Sequence, residues 1–414
     1  MARHQLHQSG IRFGMNEDQT AASIQRGTRQ RPGISLWVLL ALFVLGVASL
    51  IYGGITEGVE PDVGLLVVSY LFLMGVSQTG VVFCAITRLV RAQWAKPYYR
   101  LAELSTLAFL PFAIVGFLLI YAYAQEELFY WLSPSPEEHL SPWLNSDWLL
   151  IRNLFGLVLF YGLSTYYVIT GLKPDLAGPS EQIDHREVES QLYLLSPLVL
   201  AAFVVCNTFF AWDFGMMLVP HWHSSVFPIL FWFGNIFAGT AALIIFPALL
   251  GRAGSSGSHF GPNQIRNLGM VVTGFTLMWL YFFWAQFFVT WFGNLPNETE
   301  PLWRQMYGHY APYFWIMMAG CFFVPFVALV FAFVKRSIVA MCILAAGINL
   351  GIWIYKYLTV IPAFSPDDLP FESWLDVSLA VGLAAGFLAA VVLLASRLPM
   401  YSNWELALKP PPRR

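Results

Sequence analysis

Ten runs of mainly apolar residues divide this chain, and they constrain its fold more than any single motif does. They lie at about 35–55, 64–90, 101–124, 147–171, 191–214, 222–249, 265–293, 311–334, 337–361 and 374–396. Each is near or above the roughly 20 residues that a helix needs to cross a bilayer. The runs are continuous rather than alternating, which excludes a closed barrel, and helices are the remaining way to satisfy the backbone in lipid. Only 11% of the 414 residues are charged, against about a quarter in ordinary soluble domains. The 35 Phe, 18 Tyr and 16 Trp suit lipid contact and interfacial rings.

The charges fix an orientation. Residues 1–34 form a polar tail with five arginines that reads as disordered and cytoplasmic. Of the 22 Lys and Arg residues, all but Arg152, Arg304 and Lys356 fall in this tail, in or at the edges of the links after spans 2, 4, 6 and 8, or at the C-terminal end from Arg397 onward. The opposite links are acidic, for example Glu57, Glu60 and Asp62, or Asp367, Asp368 and Glu372. Both termini are therefore expected in the cytoplasm. The expected fold is an all-α integral membrane domain over residues 35–400, with ten transmembrane helices and a cytoplasmic tail at each end. The net charge of −2 offers no basic face for nucleic acid.

A faint internal repeat suggests how the spans group. Leu71-Phe-Leu-Met-Gly75-Val-Ser-Gln-Thr-Gly80 in span 2 and Leu230-Phe-Trp-Phe-Gly234-Asn-Ile-Phe-Ala-Gly239 in span 6 share the pattern L-F-x-x-G-x-x-x-x-G. Such glycines allow close helix approach. Spans 2–5 and 6–9 then read as two related four-helix bundles, with spans 1 and 10 at the periphery.

The residues able to carry chemistry are few. Asp213, His221 and His223 sit in a short link between spans 5 and 6, on the outer side. Ionisable groups at a membrane boundary are costly to keep and point to function. Histidine and carboxylate are suited to accept the protons of a quinol, and Trp212, Trp222, Phe210 and Phe227 offer walls for a ring. Arg152 and Lys356 fall at a similar depth. Arg152 either pairs with Asp213 or snorkels to the surface. Near the other face, Glu103 either opens a proton-uptake route or pairs with Arg100 three residues earlier. Gln78, Asn235 and Asn349 lie mid-depth and Gln286 nearer the outer end of span 7. These amides either order waters along a proton path or join helices. No histidine is mid-span and there is no C-x-x-C, so neither haem ligation nor an iron–sulfur or zinc site is expected in this chain.

Two stretches carry a resemblance. Asp213 with Pro220-His221-Trp222-His223-Ser224-Ser225-Val226-Phe227 resembles the D-W-x-M-S-L-x-P-H-W-Y-S-T-x-F element of the F subunit of alternative complex III. Met278 to Thr299, with Gln286, Asn294 and Glu298, is similar to that subunit's W-A-Y-x-x-F-S-Q-F-L-I-I-W-x-G-N-L-P-E-E. Phe214, His223 and Asn297 depart from those motifs. Met74 to Glu103 looks closer to the homologous C subunit or to stand-alone members, and the resemblance extends to the wider NrfD/PsrC-like family of quinone-interacting membrane subunits. It implies a subunit of a bacterial inner-membrane quinol:electron-acceptor oxidoreductase that contributes a quinol site, a proton path or both. It also implies menaquinone or ubiquinone as the ligand, a homologous membrane subunit, an extracytoplasmic iron–sulfur subunit and a multihaem cytochrome c as partners. The alternatives are a proton-conducting or scaffolding subunit without quinone, or the membrane anchor of a polysulfide-reductase-type molybdoenzyme.

Overall fold

The computed structural model describes residues 35–56, 60–123, 128–132, 141–177, 181–220, 222–251, 260–364 and 373–407. Among them are ten helices long and apolar enough to cross a membrane: α1 (Leu36–Thr56), α2 (Glu60–Leu89), α3 (Lys96–Tyr123), α4 (Ser146–Leu176), α5 (His185–Asp213), α6 (Phe227–Leu249), α7 (Pro262–Gly293), α8, α9 (Ile338–Phe364) and α10 (Trp374–Arg397). The eighth is built of three pieces, Ala311–Met318, a π-helical turn at Ala319–Phe323, and Val324–Val330. No strand occurs among the described residues.

Caps explain several ends. Asn145 accepts from the backbone N–H groups of Asp147 and Trp148 and starts α4. Asp184 accepts from Arg186 N and starts α5 six residues before the apolar run begins. A Ser373–Asp376 capping box starts α10. Such side chains satisfy the first N–H groups of a helix, which lack intrahelical partners. The π turn in α8 directly precedes the Val324-Pro325 step. Pro325 has no N–H to give to the preceding turn, and a widened turn is one way to absorb that.

The helices group into two bundles. In the first, α2 packs on α3 and α5, and α4 on α3 and α5. In the second, α6 packs on α7 and α9, and α8 on α7 and α9. Each contact in one bundle has its counterpart in the other. They join where α2 meets α6 and α9, and where α5 meets α6. Two of the four repeated glycines sit on this seam: a Cβ at Gly75 would run into Asn235, and one at Gly239 into Thr79. Thr79 Oγ1 reaches across to donate to Asn235 O at 3.0 Å. Helices α1 and α10 pair closely, with Gly46 facing Gly382, and α10 rests on α2 and α3.

Candidate functional site

Three polar regions lie at different depths, one at the end with the acidic links, one in the middle and one at the end with the basic links.

At the acidic end, a cavity of about 280 Å³ opens between the start of α6 and the end of α7. His223, Ser224, Gln286, Thr290 and Glu298 line it, with Val226 and Val289 as apolar wall. Asn294 ends α7 in the left-handed conformation, φ +48°, which asparagine tolerates better than most residues. The chain then turns into the short helix Pro296–Met306, and this brings Glu298 over the cavity. Glu298 Oε1 accepts from His223 N at 3.3 Å. Ser224 Oγ bonds to Gln286 Oε1 and accepts from Phe227 N at 3.2 Å. Gln286 Nε2 donates to Thr290 Oγ1 at 3.5 Å. The cavity thus holds one imidazole, one carboxylate and one amide around an apolar slot.

Asp213 does not line this cavity. It is fully buried at the end of α5, beside Phe210 and Phe214. There its carboxylate is taken up by α4: Arg152 Nε donates to Oδ2 at 2.8 Å, Arg152 Nη2 to Oδ1 at 2.6 Å, and Asn153 Nδ2 to Oδ2. The third arm of Arg152 donates to Trp143 O at 2.9 Å, and the Trp143 ring lies 4.6 Å from the guanidinium carbon. A carboxylate buried among rings has to be paired, and the two-pronged fork of arginine matches its geometry. Lys356 is elsewhere again. Its Nζ sits 2.8 Å from the centroid of Phe231, fully buried, with no hydrogen-bond partner among the described residues. The Trp222, Phe227 and Phe231 rings lead from the outer link towards it, with centroids 5.0 and 6.2 Å apart. The four ionisable groups expected at one depth are therefore distributed over three places. His221 lies outside the described residues.

In the middle, three amides from three helices form a chain. Asn235 Nδ2 donates to Asn207 Oδ1 at 2.7 Å, and Asn207 Nδ2 to Gln78 Oε1 at 2.6 Å. Gln78 Nε2 points at Cys206 Sγ, 3.6 Å away. All three amides are buried. Sequence reasoning singled out Gln78 and Asn235 but missed Asn207, although it is a lone amide inside an apolar run. Asn349 stays out of the chain and donates to Ala345 O of its own helix at 2.8 Å.

At the basic end, Glu103 is buried and bound by Arg100 Nη1 at 2.7 Å. Arg100 Nη2 donates to Asp175 Oδ2 at 2.6 Å and to Gly171 O at 3.0 Å. Arg88 pairs with Glu189 and donates from Nε to Tyr167 OH at 2.9 Å. Helix α4 runs past its apolar stretch through Lys173-Pro174-Asp175, and this extension delivers Asp175 to Arg100. Among the described residues, no three His, Cys, Asp or Glu side chains converge as a metal site would require.

This arrangement, titratable groups at both ends of a helical bundle with amides between them, is accompanied by a family match. The profile of the family described as polysulphide reductase, NrfD, matches residues 63–365, which takes in eight of the ten helices, α2 to α9, and all three polar regions. No curated protein matches the chain. The match covers well over half of the sequence, and the chain belongs to the polysulphide reductase NrfD family, whose members are integral membrane subunits of quinone-linked redox complexes.

Proposed function

We propose that this chain is the membrane subunit of a quinol:electron-acceptor oxidoreductase of the alternative complex III type, and that a quinol ring binds in the outer cavity. The observation that carries this reading is the cavity itself, where His223 and Glu298 stand beside Gln286 and Ser224 against apolar walls. Oxidation of one quinol gives one quinone, two protons and two electrons. His223 and Glu298 supply one acceptor for each proton. Imidazole and carboxylate suit this role because both exchange protons in the range where a cell operates. Gln286, held by Ser224 and Thr290, orients a ring oxygen. The electrons pass to an iron–sulfur subunit on the outer face and on to c-type haem, both outside this chain. Menaquinone and ubiquinone fit the cavity's chemistry equally.

The test is turnover of the purified complex with quinol. His223→Ala and Glu298→Gln should each lower quinol oxidation by about a hundredfold, the usual scale for loss of a positioned proton acceptor, while the complex stays assembled. Unchanged turnover in both variants removes the quinol site from this chain.

A second reading is favoured by a separate observation. The buried amides Gln78, Asn207 and Asn235 lie between Glu103 at the basic end and the Arg152–Asp213 pair at the acidic end. Asn207 is six residues below Asp213 on α5, about 9 Å along the axis. Amides do not release protons, but they order the waters that carry them. In this reading the first bundle is a proton path, and a homologous NrfD-like neighbour oxidises the quinol. A subunit that only anchors a polysulfide-reductase-type molybdoenzyme would need neither device. Glu103→Gln then slows proton movement more than electron flow, whereas cavity variants leave both intact.

A further inference from the structure

Beyond α10 the chain returns to the basic end of the first bundle and inserts the short helix Asn403–Ala407. Trp404 and Glu405 are 4% and 2% exposed. Trp404 Nε1 donates to Gly171 O at 3.0 Å and Asn403 N to Asp175 Oδ1 at 3.2 Å, both on α4. Arg88 Nη2 donates to Glu405 Oε1 at 2.6 Å, and Lys96 Nζ to Glu405 O at 2.8 Å. The helix therefore covers the Arg88 and Arg100 ion pairs, and its anchors are the very groups that make them. The exposed His185 on α5 stands at the rim, its ring 5.7 Å from that of Trp404.

Two properties of the covered cluster are not those of a simple structural lock. First, among the described residues it combines three cations, Arg88, Lys96 and Arg100, with four carboxylates, Glu103, Asp175, Glu189 and Glu405. An uncompensated buried charge is strongly unfavourable, so the cluster is neutral only when it holds one proton. Second, Glu405 Oε2 and Arg100 Nε are buried without a hydrogen-bond partner among the described residues, as are Ser402 Oγ and Tyr98 OH. Buried polar atoms are nearly always satisfied, and a group of open ones suits internal water.

We propose that the C-terminal helix is a removable plug over a proton-uptake vestibule in the first bundle, and that Glu405 is the carboxylate through which protons pass from the basic side to Glu103. The inference rests on the proton-path reading above and on no step of the quinol chemistry. When the plug is seated, Glu405 shares Arg88 with Glu189, and one oxygen remains free to exchange a proton. When it leaves, the vestibule opens to bulk solvent.

Cys84 reports on the plug. It is fully buried, donates to Tyr99 O at 3.5 Å, and lies within electrostatic range of Glu103, Arg88, Arg100 and Glu405. The experiment uses the full complex in proteoliposomes, with Cys84 as the only cysteine of this chain and a membrane-impermeant maleimide on the basic side. Ending the chain after Tyr401 should speed labelling of Cys84 by about tenfold or more, as expected when a local opening is made permanent. Trp404→Ala, which keeps the rest of the chain, should speed it in the same direction. Labelling as slow in both variants as in the parent overturns the plug. Proton uptake from the basic side during turnover tests the relay. Glu405→Gln should slow it by about tenfold or more, with recovery in Glu405→Asp. Uptake unchanged in E405Q overturns the relay alone. No uptake in the parent overturns the relay together with the proton-path reading.

Discussion

Asp213 and Arg152 form a buried, two-pronged ion pair between α5 and α4. Removing one partner of a buried pair leaves the other as an unpaired charge, which destabilises by about 3–5 kcal/mol. Asp213→Asn should therefore lower the thermal midpoint of the purified complex sharply. A double variant, Arg152→Met with Asp213→Leu, should recover most of the loss. An unaltered midpoint in Asp213→Asn would show that the pair does not hold α4 to α5. The pairing was one of two readings the sequence left open for Arg152, since two opposite charges at the outer ends of consecutive spans can either meet or reach the surface separately. Asn153, which adds a third donor, was not legible, since an amide beside an arginine carries no pattern of its own. Asn207 escaped notice for a related reason: it acquires meaning only when Gln78 and Asn235 arrive from other helices. Lys356 shows the reverse. Its position inside span 9 was evident, but no opposite charge meets it among the described residues, and it rests on the ring of Phe231 instead.

At the scale of helices, the repeat L-F-x-x-G-x-x-x-x-G pointed to the two bundles, and the structure places one glycine of each copy, Gly75 and Gly239, on the seam between them. Gly75 and Gly239 leave room for Asn235 and Thr79 and for nothing more. Gly239→Leu should force α2 and α6 apart. We expect it to destabilise the protein by at least the roughly 1–3 kcal/mol typical of overpacking, read as a lower unfolding temperature in detergent. The same change at Gly274, where a Cβ would meet nothing within 4 Å, should leave the unfolding temperature nearly unaltered. Equal effects at the two sites would mean that the seam is not tight. Helix existence and order were readable from hydropathy, whereas the ends were not. Helix α3 starts at Lys96 and α5 at His185, both earlier than their apolar runs, because these turns are held by protein contacts or a cap rather than by lipid. The π turn of α8 left no mark in hydropathy either. It lies where Gly320 meets the backbone of Gly347, and Cys321 meets Gly351.

For the whole molecule, the alternation of basic and acidic links determines which way it sits. A fluorescent protein fused after Arg414 should fold and fluoresce, and alkaline phosphatase fused there should be inactive, because both termini are expected in the cytoplasm. Active phosphatase would invert the molecule and with it the direction assigned to every proton. The two bundles divide the labour unevenly. The outer cavity belongs to α6 and α7 of the second, whereas the buried ion pairs belong to the first. Among the described residues, the amide chain from Gln78 through Asn207 crosses the seam at Asn235. That crossing has a mechanical corollary. With a side chain lodged in each glycine notch, α6 has no slack to roll about its own axis without dragging α2 along. A ligand that tilts α6 at its outer tip would be felt at Gln78 as a displacement, passed on as by meshed gears.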